Sequence, residues 1–405
     1  MRKHYDVAVI GGGAGGLFFT ALSADMHKEL KFAIIEKNQR VGKKLLTTGN
    51  GRCNLTNIYA GKENYHGSFA PFMADVLNVC SSENVIEQFL KMGLVTRVDE
   101  AGRVYPKSNQ SSTVLDVLRF NCEKDNVDIF CENKVIKAEK SKEIFTVTTD
   151  KDVITADKLI FATGGAAAPK AGGDSSGYDL LKSFGHSVGK LSPALCPINV
   201  KSDYLKSLKG IRAQCEVSIL SDGKALANET GEVQFTENAL SGICVFNLSQ
   251  YVDKRFNQIL RLRLLPEFDY IRIVDMLENN RKIYSKLDAE NLMTGIFHKR
   301  LSQSLIKASG IKLNKTVSDI SDREIKCLAK LVNCFDFEVM GLSDFNNAQV
   351  TKGGVKGDEV NPLTMESKIT KGLYIIGEAL DCNGDCGGYN LQLAFATGYI
   401  AAKSL

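Results

Sequence analysis

The sequence has little of what would place it outside ordinary globular proteins. Only 7 prolines stand against 35 glycines in 405 residues, and no stretch is of low complexity, which excludes a disordered or fibrous chain. Nowhere do about 18 uninterrupted apolar residues occur, the length that suggests a membrane-spanning helix. Neither charge is in excess: 51 Lys and Arg against 47 Asp and Glu leave +4. That balance is too weak and dispersed for a nucleic-acid face, so neither nucleic acid nor membrane is expected as a partner, while small anionic ligands stay open. The opening Met-Arg-Lys-His-Tyr-Asp runs directly into Val7-Ala8-Val9-Ile10. No room is left there for a secretory segment, and a cytoplasmic protein is expected. G-x-S-x-G, H-E-x-x-H and paired C-x-x-C are all missing, which withdraws support from hydrolase, zinc and thioredoxin-like readings, and no metal is expected. The 11 cysteines have no regular spacing and read as reduced thiols, most of them small buried apolar residues.

What is present begins with length, since 405 residues exceed one hydrophobic core and imply two or more domains. Val7 to Ile10 reads as a buried parallel strand, a helix follows from about Ala14 to Ala24, and Phe32-Ala33-Ile34-Ile35 is a second strand ending at Glu36. Between the first strand and the helix, Gly11-Gly12-Gly13-Ala14-Gly15-Gly16 contains G-x-G-x-x-G. Glu36 follows about 20 positions after Gly16, which completes a dinucleotide fingerprint. Gly11 permits the tight turn, Gly13 lets the backbone approach a pyrophosphate, and Gly16 lets helix and strand pack closely. Glu36 would accept hydrogen bonds from the adenosine ribose, with helix amides facing the phosphates. FAD and NAD both use such a unit.

Further on, helices are expected near Val85–Met92 and Thr113–Cys122, and antiparallel strands from Val127 to Ile154. Leu159-Ile160-Phe161-Ala162 returns to the buried parallel type. Past Pro193 and Pro197, short strands with the turn Asp222-Gly223 suggest a separate β domain. A helical stretch closes with a capping box at Ser321 and Glu324, placing Ile325, Leu328, Leu331, Val332 and Phe335 on one buried face. Leu373-Tyr374-Ile375-Ile376 then repeats the strand-and-turn pattern of the N-terminus, and an apolar helix runs from about Leu391 to Ala402. The middle of the chain is therefore an insertion into a domain built from both ends. The expected boundaries are 1–190 and 353–405 for that domain, 191–268 for a β barrel, 269–335 for a helical subdomain and 336–352 for the return.

Thr48-Gly49-Asn50-Gly51-Arg52-Cys53-Asn54, Ala162-Thr163-Gly164-Gly165, Gly102-Arg103-Val104-Tyr105-Pro106 and Gly377-Glu378 through Gly387-Gly388-Tyr389-Asn390-Leu391-Gln392 occur in order along the chain. Together they resemble the bacterial flavoproteins known as aminoacetone-oxidase-like FAD-binding enzymes, a family that includes a reductase of dehydro-bile acids. The resemblance implies an α/β fold, with a Rossmann-like FAD/NAD(P)-binding domain of the glutathione-reductase type interrupted by a β barrel and a helical subdomain. It implies FAD as cofactor, held by Gly11, Gly13, Ala14, Gly15, Gly16 and Glu36 around ADP, with Val135 also on the cofactor. Lys37 and Lys44 either flank the ADP or belong to a solvated face. The segment Thr48, Gly49, Gly51, Arg52, Cys53 and Asn54 would pass near the isoalloxazine, where Arg52 meets phosphate or an anionic substrate. Ala162, Thr163 and Gly164 form the turn passing the FAD, and Gly377 with Glu378 or Asp381 takes the ribityl chain. Gly388, Tyr389, Asn390, Leu391 and Gln392 start a helix aimed at the pyrimidine, whose N-terminus favours negative charge. Arg103 and Tyr105 fall on the substrate side and, with Arg52, are the candidate catalytic residues.

The implied activity is an FAD-dependent oxidoreductase that reduces an activated C=C bond of a small organic, steroid- or bile-acid-like substrate. NAD(P)H serves as a transient electron donor, because no second complete G-x-G-x-x-G appears in a βαβ context. The alternatives are a flavin oxidase or hydroxylase using oxygen, and a non-catalytic flavin redox sensor. Cys382 and Cys386 read as a redox pair or as bystander thiols, His186 as catalytic or as a hydrogen-bonded packing histidine, and the Gly172–Gly177 loop as phosphate-binding or plain.

Overall fold

The structure, a computed structural model, describes residues 3–405; Met1 and Arg2, which begin the opening read above, lie outside it. The run Val7–Ile10 is buried on every side because its strand is central. β1 (Lys3–Ile10) pairs in parallel with β2 (Phe32–Ile35) on one edge and with Val153–Phe161 on the other. Helices cover faces and neighbours cover edges, so no position along it has a reason to be polar. α1 (Ala14–Met26) makes the crossover between the two strands. The parallel sheet runs Val127–Phe130, β2, β1, Val153–Phe161, Leu373–Ile375. Its last member comes from the far end of the chain, so the domain is assembled from both termini. Ile144–Thr149 and Val135–Ser141 continue antiparallel from the first half of Val153–Phe161.

One expectation is corrected here. Val127–Phe130 is a parallel edge strand paired with β2, not part of an antiparallel set. Its alternation misleads because an edge strand lies at the margin of the sheet, where Asp128 stays exposed and accepts a 2.6 Å hydrogen bond reaching over β2 from the Tyr5 hydroxyl of β1.

The chain divides into two compact units, one reaching Pro193 and resuming over Ala348–Leu405, the other Ala194–Asn347. In the second unit six strands close a barrel in the order Ile198–Lys201, Ala239–Ser241, Lys224–Phe235, Arg212–Ser221, Gln258–Arg263, Phe335–Leu342. The long hairpin turns at Asp222-Gly223, both with positive φ (49° and 77°), the backbone that such a tight turn demands. Helices Tyr270–Ile283, Lys299–Ala308 and Asp322–Asn333 lie between the fifth and sixth barrel strands in sequence and share one core with them, joining Leu260 to Leu277, Leu305 and Leu328. Ser321 and Glu324 form the reciprocal cap, with Ser321 Oγ accepting from the Glu324 amide at 3.3 Å and the Glu324 carboxylate from the Ser321 amide at 2.8 Å. Among the described residues no helix is long and apolar enough to cross a membrane.

Candidate cofactor and active site

The glycines between β1 and α1 do two different jobs. A Cβ on Gly11 (φ 106°) would sit 2.3 Å from the carbonyl oxygen of Ala162, and one on Gly16 would sit 2.0 Å from that of Gly11. These two are required by the packing of strand, helix and neighbouring turn. Gly15 packs α1 against the C-terminal helix, 3.3 Å from the Ala394 oxygen by the same construction. Gly13 is different: nothing lies within 4 Å of where its Cβ would be. It opens onto free space ahead of α1, whose N-terminus carries no side-chain cap and no acid in its first turn. The amides of Ala14 and its neighbours are thus left for an outside acceptor, the arrangement that suits a pyrophosphate.

Glu36 closes this loop from β2. Its buried carboxylate accepts from the Gly12 amide at 2.9 Å and from the Asn38 amide and side chain at 2.8 and 2.6 Å. Three bonds leave room for a further donor such as a ribose hydroxyl. The Asn133 amide donates to the Glu36 carbonyl at 2.9 Å, which brings the buried start of the next strand, Val135, alongside.

Neither lysine faces solvent alone. Lys37 pairs with Asp174 at 2.8 Å, and Lys44 with Glu378 at 2.8 Å across 334 positions of sequence. Glu378 also accepts from the Thr351 amide at 2.8 Å, and a Cβ on Gly164 would lie 4.0 Å from it, so this carboxylate faces the Ala162–Gly164 turn. Asp381 is held elsewhere, accepting from the Ser68 amide at 3.1 Å. Asp174 also binds the Ser176 amide and hydroxyl, so the helix after the Gly172–Gly177 loop is capped by the chain's own carboxylate. Burial works to raise the Asp174 carboxyl, but the hydrogen bonds from Lys37 and Ser176 outweigh it and hold the group down from 3.8 to about 2. A depressed folded-state pKa stabilises the fold above the ordinary carboxylate range and is lost on acidification towards the folded value. Melting temperature measured from pH 7 down to pH 2 is therefore expected to fall below about pH 4 in the wild type, and less steeply in Asp174→Asn.

The segment after Thr48 keeps a left-handed backbone at Gly49, Asn50 and Gly51 (φ 56°, 54° and 81°), which is why Gly-Asn-Gly is written there. Thr48 Oγ1 ties the turn to the Leu45 carbonyl at 2.6 Å. Cys53 is fully buried, and burial pushes its thiol up to about 12, so it packs and does not react. Asn54 is the informative residue, because its Oδ1 is buried with no hydrogen-bond partner and lies 2.8 Å from where a Cβ on Gly388 would be. Thr163 Oγ1, on the neighbouring turn, is likewise buried and unpartnered.

Gly388 (φ 104°) caps the C-terminal helix Tyr389–Lys403 without any side-chain cap bond. Met73–Val79 and Ser111–Cys122 also start without a side-chain cap, but only Ala14–Met26 and Tyr389–Lys403 among the described α-helices of this unit are led by a glycine. Asn390 braces the preceding loop through Gly384, accepting from its amide and donating to its carbonyl, both at 2.8 Å. Gln392 turns inward, taking 2.6 Å and 3.0 Å hydrogen bonds with Thr56 and the Cys80 carbonyl, while Leu391 packs on the core and the Tyr389 carbonyl accepts from the Tyr65 hydroxyl. Gly377 (φ 66°) sits against Ala394 of the same helix. Two glycine-led helix starts without side-chain caps, an open glycine and two orphaned buried oxygens, all within one unit, fit an extended dinucleotide such as FAD.

Arg52 and Tyr105 are together, the guanidinium carbon 4.9 Å from the ring centroid. Arg103 is turned to Asp99 at 2.9 Å. Arg97, which the motifs did not flag, stacks on the same Tyr105 ring at 5.1 Å. The strand register Arg97↔Tyr105 across the Asp99–Gly102 turn is what places it there, and it could have been found by pairing that hairpin. Cys382 is fully buried, and burial together with the Asp381 charge pushes its thiol up, which is the wrong direction for a redox nucleophile. His186 is buried between Glu359 and Ser367 at 2.9 Å each, a satisfied packing histidine.

This fold and this cradle define an FAD-dependent oxidoreductase. The family model described as HI0933-like protein Rossmann domain matches residues 5–404, and the chain belongs to that family, in keeping with the resemblance of its motifs. It is 34% identical, over 98% of both chains, to the 3-dehydro-bile acid delta(4,6)-reductase of Clostridium scindens. It is 26% identical to the ribosomal RNA dihydrouridine synthase of Escherichia coli, over 100% of this chain and 98% of that one. Among solved structures, the 3-ketosteroid-delta4-(5alpha)-dehydrogenase of Rhodococcus jostii RHA1 shares the fold, with a TM-score of 0.52 and 12% identity over 99% of this chain and 96% of that one.

Proposed function

We propose that the protein is an NAD(P)H-dependent reductase of a C=C bond conjugated to a carbonyl in a small, steroid-acid-like substrate. The observation that carries the cofactor side is the pair of glycine-led, uncapped helix starts, α1 and Tyr389–Lys403, contributed by opposite ends of the chain to one unit. α1 and Glu36 would hold the ADP half, with Val135 alongside. Glu378, Thr163 and Asn54 would meet the polar middle and the ring. The free amides at Tyr389 and Asn390 would favour negative charge on whatever they face. When bound, FAD supplies hydride transfer. Support for the substrate class comes from the relatives: a reductase of dehydro-bile acids, and a synthase of dihydrouridine, which differs from uridine by two hydrogens across one conjugated double bond. With a single dinucleotide fingerprint in the sequence, nicotinamide and substrate are expected to visit in turn.

The test is anaerobic mixing of the purified holoprotein with NADH or NADPH, followed by a 3-oxo steroid with conjugated unsaturation. Rapid loss of oxidised-flavin absorbance, recovered on adding the steroid, is expected. No bleaching with either nicotinamide contradicts the donor, and recovery with oxygen alone indicates the oxidase. Uridine within RNA is the second reading, supported by the Escherichia coli relative, and recovery with a uridine oligonucleotide instead of the steroid would favour it.

A further inference from the structure

Building on that reading, we propose that Arg52 and Arg97 form an anion clamp around Tyr105 that takes a carboxylate of the substrate. The Tyr105 ring is a fixed platform, 3% exposed. Arg97 lies directly across from it in the antiparallel pair Thr96–Val98 and Arg103–Pro106, so both side chains project from one face. Arg52 reaches the ring from the left-handed loop, its Nε donating to the Gly49 carbonyl at 3.3 Å. A Cβ on Gly49 would lie 3.6 Å from the Tyr105 ring. The clamp therefore shares its loop with Asn54, the residue whose orphaned oxygen marks the cofactor site.

Charge balance separates these arginines from the other cations of the site. Lys37, Lys44 and Arg103 are each paired with a carboxylate. Among the described residues, Arg52 and Arg97 have none: Arg52 meets one carbonyl, and Arg97 meets the neutral Asn109 Oδ1 through Nε and Nη2. A purely structural stack would need only one cation, since two guanidiniums on one ring repel each other. Two guanidinium forks with unused N–H groups suit an anion that both can bind. A single carboxylate fits better than an RNA backbone, because phosphate-backbone binding draws on several basic side chains and the Tyr105 ring gathers two.

Calorimetric titration of the holoprotein tests this with three probes: a conjugated 3-oxo steroid carrying a side-chain carboxylate, its methyl ester, and a uridine oligonucleotide. The wild type is expected to bind the acid roughly ten-fold more tightly than the ester. That ratio should fall towards one in Arg97→Gln and Arg52→Gln, and be partly kept in Arg52→Lys, which retains the charge but not the fork. Circular dichroism melting checks folding; if Arg52→Gln does not fold, Arg97→Gln decides. Equal binding of acid and ester by the wild type, or an unchanged ratio in the variants, overturns the clamp. So does an oligonucleotide that displaces the acid and loses affinity in both variants. Turnover with NAD(P)H is measured separately: a failed clamp leaves reduction of the ester intact, while a failed reductase reading abolishes reduction of both steroids and leaves the binding ratio as it was.

Discussion

Gly13→Val yields protein that folds but comes off the column without flavin. Position 13 has extended backbone (φ −84°, ψ −166°), which valine adopts readily, and its new side chain meets no protein atom within 4 Å of Cβ. The apoprotein's melting temperature should therefore shift by no more than about 2 °C, as for a substitution away from the core. The methyl groups instead occupy the space ahead of α1 that an approaching pyrophosphate would need. FAD content per chain, measured after heat release, is expected to fall at least ten-fold, with Gly13→Ala intermediate. A Gly13→Val protein with full flavin content would mean that this space is not the cofactor's.

The opposite outcome is expected three residues later. In Gly16→Ala the added carbon falls 2.0 Å from the Gly11 carbonyl oxygen and 3.2 Å from the Ala162 side chain. Both neighbours are fixed by the sheet, since Gly11 follows β1 and Ala162 follows the strand beside it. Relief requires α1 to move away from β1, which loosens contacts of the buried Leu17, Phe18 and Phe19. The cost should be about 3 kcal/mol or more, at the upper end for overpacking. Poor recovery of folded protein and a melting temperature lower by several degrees are expected, with or without added FAD. The pair of variants thus separates a glycine kept for the ligand from one kept for the fold, although the motif writes them alike.

That contrast also shows what could be read from residues alone. The opening βαβ unit, Leu373–Ile375 and the C-terminal helix were legible because continuous apolar runs and glycine punctuation follow from burial on all sides. Val127–Phe130 was not, since an edge strand tolerates Asp128 and imitates a half-exposed one. The closing barrel strand Phe335–Leu342 comes after three helices, and no local pattern says that it pairs with Ile198–Lys201, over a hundred residues earlier. At the candidate site, the glycines and Glu36 are proposed from their spacing. The Lys44 to Glu378 ion pair, the Arg97 stack and the orphaned Asn54 oxygen arise only from long-range register and packing.

Both ends of the polypeptide are expected to close around one FAD. The most direct test of this is an absorption spectrum of the freshly purified chain, followed by chromatography of whatever heat releases. A yellow protein that gives up close to one FAD per chain is predicted. Colourless protein that takes up no FAD on incubation with excess cofactor would contradict it.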